Sequence, residues 1–229
     1  MVLSHENIDQ ITEEVSRVMN DLGAELQNRE FDKSVEVKDR VIFIVFLLGW
    51  EYFKSARDTL KLEHVVGSGN LIRSSFENLA DIFYMFKTDE RVKKYAEAYA
   101  SSLDTYKSVM LDLHSKSIDD VFSNRLAKKV NNWAGGSSID DRLKDLTPSL
   151  LTVYDMFSYF SHPNPASITY MRIAGLKNGQ LAISKSMNCH VAVVLMMIIL
   201  NHSDIKSVSN ETLDQLRVQI DSTMSLTSL

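Results

Sequence analysis

The sequence predicts a mainly α fold: a single helical bundle of about seven or eight helices, with one small β-hairpin near residues 167–185. Three observations carry that expectation. Apolar residues recur at spacings of three and four along most of the chain, the signature of helices with one buried face. Only three prolines (Pro148, Pro163, Pro165) and eight glycines interrupt 229 residues. The periodicity loosens towards alternation only after the last proline, in SITYMRI and QLAISKS.

The first helix is expected from about Ser4 to Arg29, where Ile8, Ile11, Val15, Val18, Leu22 and Leu26 form one stripe. It is the candidate for a peripheral element. REFDKSVEVKD is charged and stripe-free, so it reads as a solvated connector. A second helix starts near Val37 and reaches about His64; its front half, VIFIVFLLGW, is apolar all round and belongs in the middle of the fold. Gly67 and Gly69 in VVGSGN then punctuate the chain. A third helix follows from Asn70 to about Phe86, with Leu71, Phe76, Leu79, Ile82, Phe83 and Phe86 inward.

Thr88-Asp89-Glu90 reads as an N-cap and an acidic first turn. The fourth helix it opens extends to about His114, and a weaker fifth spans about Ile118 to Trp133 before the glycines of NNWAGGSS. Leu143 to Phe160 continues helically, with Pro148 in its first turn. Pro163 stops that helix, because proline lacks an N–H and disfavours helix in the residue before it. The hairpin is expected next, with Asn178-Gly179 as its turn. Two helices end the chain, about Met187 to His202 and Val208 to Ser222. No repeat, low-complexity tract or long linker is visible, so residues 1–229 read as one domain.

Composition narrows the functional classes. The chain is 45% apolar with a net charge of −5, which fits a folded domain and gives no general attraction to nucleic acid. The lone Cys189 excludes an intramolecular disulfide and suits a reducing compartment, so a cytoplasmic location is expected. Between Asn188 and His190 it reads as a small core hydrophobe rather than a nucleophile. The runs VIFIVFLLGW and VAVVLMMIIL are ten residues each, against about 20 for a bilayer span, so no membrane partner is expected. Six histidines form no H-E-x-x-H and no Glu-x-x-His pair, and no metal or cofactor is expected. GSGN could hold an anion at a helix start, but without Gly-Lys-Ser/Thr it is not a phosphate-binding P-loop.

Two constellations could carry chemistry. In LIRSSFENLADIFY, Arg73, Glu77 and Asp81 stand four apart on one helical face, and Tyr84 follows. They border the apolar face, which suggests a half-buried polar row. In SYFSHP, Ser158 and His162 are also four apart, at a helix end where unsatisfied carbonyls stabilise an imidazolium. His162 is either a cap or a general acid–base.

L-I-R-S-x-x-E followed later by S-x-x-x-H-P-x-P resembles a family of bacterial helical proteins of unknown function, over about Val41 to Ala166. The resemblance implies that Arg73, Glu77, Ser158 and His162 come together. A more distant resemblance is to HEPN domains, helical bundles that often dimerise and in many members cleave RNA without a metal. RDTLKLEH offers Arg57, Asp58 and His64 in the order of their motif, as a reserve pair of arginine and histidine. The late YDMFSYFSH departs from it, because no arginine lies just before His162. Two functions follow as expectations. One is a homodimeric, metal-independent ribonuclease or toxin-like effector, with His162 as acid–base, Arg73 on phosphate and Glu77 orienting Arg73. The other is a non-catalytic scaffold or ligand- or partner-binding protein in which the same residues lock helices together.

Overall fold

The computed structural model describes residues 5–30, 37–100, 138–146, 154–155, 157–158 and 174–227. The expected helix over 118–133, the fourth helix beyond residue 100, Pro148, the first arm of the hairpin, and His162 with Pro163 and Pro165 lie outside them. The helices are α1 (His5–Glu30), α2 (Val37–Lys61), α3 (Val65–Met85), α4 (Ile139–Leu146), α5 (Ala174–Asn201) and α6 (Asn210–Thr227). Residues 89–100, 154–155 and 157–158 are helical as well.

α5 is the central element and packs against α1, α2, α3 and α6. Its apolar residues run round its circumference, so Val191, Ala192, Val193, Leu195, Met196 and Ile199 are all buried. The stretch Gln180–Asn201 is long and apolar enough to cross a membrane, yet most of it is buried within the protein. Around it α1 presents its stripe, with Val15, Met19 and Leu22 inaccessible to solvent. α2 supplies Ile42, Phe46 and Phe53, and α3 supplies Ile72, Phe76 and Leu79. Glycine permits the closest approaches: a Cβ on Gly49 would stand 2.2 Å from Leu195 Cδ2, and one on Gly23 3.1 Å from the Trp50 ring.

Buried hydroxyls close locally, as Thr12 does on the Ile8 carbonyl at 2.7 Å and Ser75 on that of Leu71 at 3.0 Å. Polar ties between helices are few and specific. Asn188 Nδ2 donates to the Phe53 carbonyl (3.1 Å), and Ser186 meets Thr223 at 3.2 Å. The Glu25 carboxylate accepts the amides of Lys206 and Ser207 at 3.2 and 2.9 Å, which fastens the α5–α6 connection to α1. Cys189 is fully buried against Thr12, and burial pushes its thiol up to about 12, so it is an inert core residue.

Three sequence expectations need correction. Among the described residues there is no strand, and QLAISKS, the second arm of the expected hairpin, lies inside α5 with Asn178-Gly179 in its first turns. Its buried residues Leu181, Ser184, Met187, Asn188 and Val191 repeat at three and four, a helical period mistaken for loose alternation. The second correction concerns VVGSGN. α2 ends in a turn at Leu62–His64, where the amides of Glu63 and His64 donate to the carbonyls of Leu60 (3.0 Å) and Thr59 (3.1 Å). Glu63 takes a φ of 57°, the left-handed conformation uncommon outside glycine. α3 begins at once, and Gly67 and Gly69 sit within it. Glycine costs a helix about 1 kcal/mol relative to alanine. Packing outweighs that here: Gly69 is buried, and a Cβ on Gly67 would already touch Thr59 at 3.4 Å. Ser68 N donates to the His64 carbonyl (3.0 Å), so GSGN is not a free helix start for an anion. Third, the helix expected from about Met187 begins at Ala174, which puts His190 in the interior of α5; His202 closes it, through its amide on Ile199 (3.0 Å).

Candidate functional site

The row along α3 forms a seam against α4, the 154–158 stretch and residues 89–100. At its centre three atoms make a closed triangle. Arg73 Nη2 donates to the Tyr154 hydroxyl at 2.8 Å, that hydroxyl donates to Glu77 Oε1 at 2.8 Å, and Nη2 lies 3.0 Å from the same Oε1. Tyr154 is only 6% exposed, whereas the side chains of Arg73 and Glu77 keep 30% and 37%. The row is therefore half-buried, as its position beside the apolar face suggests.

The local structure that delivers each group is plain. Phe157 is fully buried and stacks on Phe76 of α3, ring centres 6.3 Å apart, and so docks the 154–158 stretch. Ser158 is half-buried, and its hydroxyl donates to the Tyr154 carbonyl at 2.9 Å. One turn further along α3, Asp81 pairs with Arg142 of α4 at 2.9 Å. α4 is set by a reciprocal cap: the Asp141 amide donates to Ser138 Oγ (3.1 Å), while Ser138 Oγ donates to the Asp141 carboxylate (2.7 Å). That S-x-x-D signal starts the helix at Ile139, ahead of the expected Leu143, and aims Arg142 at α3. Thr88 caps the next segment by accepting the Arg91 amide (3.3 Å), and the Arg91 guanidinium lies 3.8 Å over the Tyr84 ring.

Charge states follow from these contacts. The hydrogen bond to Tyr154, and then the field of Glu77, hold the Arg73 guanidinium in its charged form despite burial. Burial first, and the bond to Glu77 second, raise the Tyr154 phenol, so at neutral pH it remains a donor rather than a base. Tyr52 of α2 is raised in the same way, by burial and then Glu77. Asp81 is raised mainly by burial, although Arg142 opposes this, and burial pushes Tyr95 up to about 12. Chemically the triangle is a tie: cation, phenol and carboxylate satisfy one another across two elements.

The structure thus brings Arg73 and Glu77 together and places Ser158 on the stretch that docks beside them, with its hydroxyl bonded to its own helix. His162 lies outside the described residues. The reserve pair diverges. Arg57 turns to α1, donating to Ser16 Oγ (3.1 Å) and to its neighbour Asp58 (2.9 Å), while His64 is exposed in the α2–α3 turn. No hydrogen bond or ion pair joins the two, because the turn at Glu63 breaks the helical face that would have aligned them. Tyr154 and Arg142 were not singled out from sequence. Tyr154 stands four residues before Ser158, and that spacing was the available signal. No group of three or more His, Cys, Asp or Glu side chains able to hold a metal occurs among the described residues.

A family model, the Family of unknown function (DUF5677), matches residues 39–180. The chain belongs to this family. The matched segment runs from α2 into the start of α5, so Arg73, Glu77, Tyr154, Ser158 and His162 all fall within the family's region, while α1 and α6 flank it. No curated protein and no solved structure matches the chain.

Proposed function

We propose that this member of the family is a non-catalytic helical binding protein, in which the Arg73–Glu77–Ser158 group, with Tyr154 and His162, fixes the packing of helices. One observation carries this reading: a buried phenol closes the triangle, joining guanidinium and carboxylate at 2.8 Å each. A guanidinium poised for phosphate keeps its donors open towards a cleft, whereas this one donates into the protein. A mutually satisfied polar group between elements specifies their arrangement. The net charge of −5 also gives RNA no general attraction.

The exposure that Arg73 and Glu77 retain favours a second reading, the HEPN-like one. In it a cytoplasmic homodimer cleaves RNA, with Arg73 on the phosphate, His162 moving the 2′-hydroxyl proton and Glu77 orienting Arg73. The experiment that separates them compares wild type, Arg73→Ala and His162→Ala in RNA cleavage and in thermal melting. The binding-protein reading expects no cleavage by wild type and a lowered melting temperature for Arg73→Ala. Wild-type cleavage that either substitution abolishes, with melting unchanged, overturns it.

A further inference from the structure

A cavity of about 330 Å³ opens between α1, α2 and α5. No α3 side chain lines it, so it is separate from the seam. At about 30 Å³ per water it holds roughly ten water volumes, the lower end of the range for small-molecule sites. Its charged walls come in pairs one helical turn apart: Asp9 and Glu13 on α1, Arg57 and Lys61 on α2. Lys185 and Asn188 of α5 complete it.

The charges sit at two depths. Asp9, Glu13 and Lys61 are outermost, 55%, 64% and 56% exposed, whereas Lys185 is 12% and Arg57 22% exposed. Ion pairs cross the opening, Lys185 to Asp9 at 2.5 Å and Lys61 to Glu13 at 3.2 Å. Deeper lies Asn188, 2% exposed. Its Nδ2 is held by the Phe53 carbonyl, which fixes the amide's orientation, and its Oδ1 is buried with no donor. Buried acceptors in folded proteins nearly always have partners. A second, smaller space beside Asn188, about 10 Å³, is at the size limit of a single water.

We propose that this cavity binds a small amino acid, its carboxylate meeting Arg57 and Lys185 and its ammonium donating to Asn188 Oδ1 and the α1 carboxylates. The lining matches a zwitterion better than a simple anion. Three cations and two carboxylates surround the space, and the unmet Asn188 acceptor can take a donor from the ligand. Arg57, whose Nε and Nη1 are held by Asp58 and Ser16, supplies a fixed charged donor that a carboxylate accepts. The site would be assembled half from the family's segment (Arg57, Lys61) and half from the flanking α1 and α5 residues.

The test is calorimetric titration and thermal shift of the full chain with glycine, L-alanine, L-serine and L-glutamate, using acetate and methylamine as single-charge controls. At least one amino acid is expected to bind and raise the melting temperature, and neither control to do so. Lys185→Met keeps the apolar stem and should weaken that binding by about tenfold or more, the loss of one charged hydrogen bond, while the free protein still melts cooperatively. Arg57→Gln is the second variant and should weaken it similarly. The proposal fails if no amino acid binds wild type, if acetate binds equally well, or if both variants bind undiminished. None of these outcomes bears on RNA cleavage or on the α3 seam.

Discussion

The α3 seam and the cavity between α1, α2 and α5 are built from the same groups, and they end as opposites. Each has an arginine, carboxylates and a polar side chain from a neighbouring element, but the seam carries its arginine and carboxylate on one helix whereas the cavity carries them on α2 and α1. In the seam the second element brings a phenol to within 2.8 Å of both charges, and the space closes. In the cavity the charges pair across helices at the opening and leave about 330 Å³ beneath them. What separates a tie from a site is therefore the body that the neighbouring element inserts. The aromatic pair of Phe76 and Phe157 brings Phe157 and its neighbours down onto α3, whereas among the described residues no aromatic side chain lines the cavity between α1, α2 and α5.

The comparison breaks first at that aromatic pair. Phe157→Ala removes a fully buried ring from Phe76 and should destabilise the protein by about 3–5 kcal/mol in urea or guanidinium unfolding. A cost below about 1 kcal/mol would mean that the stretch is not docked and that the seam is a surface. Tyr154→Phe is a finer cut, since it removes only the hydroxyl and leaves Arg73 and Glu77 within 3.0 Å of each other. A loss of about 0.5–1.5 kcal/mol is expected, the net value of an ordinary hydrogen bond. If the seam is a tie, the loss should shrink in an Arg73→Ala background, because the two side chains share one network. Additive losses would show that they act separately.

How much of this was legible follows from the kind of information each feature needs. The stripe Ile8–Leu26 and the row Arg73–Glu77–Asp81 are local and periodic, and their burial matches the pattern; the apolar run of α2 is buried on one side only, with Leu48 41% exposed. The hairpin over 167–185 was misread because Asn178-Gly179 carries the same letters in a turn and in the opening of a helix. Only the pull of α1, α2, α3 and α6 on the apolar face of α5 decides between them. Gly67 and Gly69 misled for the same reason, since the tertiary contact of Gly67 with Thr59 and the burial of Gly69 leave no local trace. The partners of the row were not legible. Tyr154 and Arg142 lie 81 and 69 positions from Arg73, and no local rule links them; Arg57 and His64 looked alignable because a left-handed Glu63 has no sequence signal.

The smallest effect concerns pH and sharpens the contrast from outside both clusters. His190 is half-buried on α5, with Nδ1 3.7 Å from Asp221 of α6. Burial lowers its pKa below 6.5; Asp221 opposes the shift and Arg217 adds to it. A base with a lowered folded pKa binds its proton more readily when unfolded. Its neutral form costs nothing above about pH 6.5, and stability falls as pH drops below that value until the folded pKa is passed. Asp81 in the seam has the opposite slope. Its folded pKa is raised above 3.8, so the folded state takes up that proton first and gains stability as pH falls through the raised value. Unfolding free energies at pH 7.5, 6.5 and 5.5 should therefore decline in wild type and decline less in His190→Gln. His202, also lowered by burial and by Lys38, accounts for a remaining slope that His202→Gln should remove in turn. An unchanged decline in the double variant would place the acid sensitivity elsewhere, and not in Asp81, whose raised folded pKa gives the opposite slope.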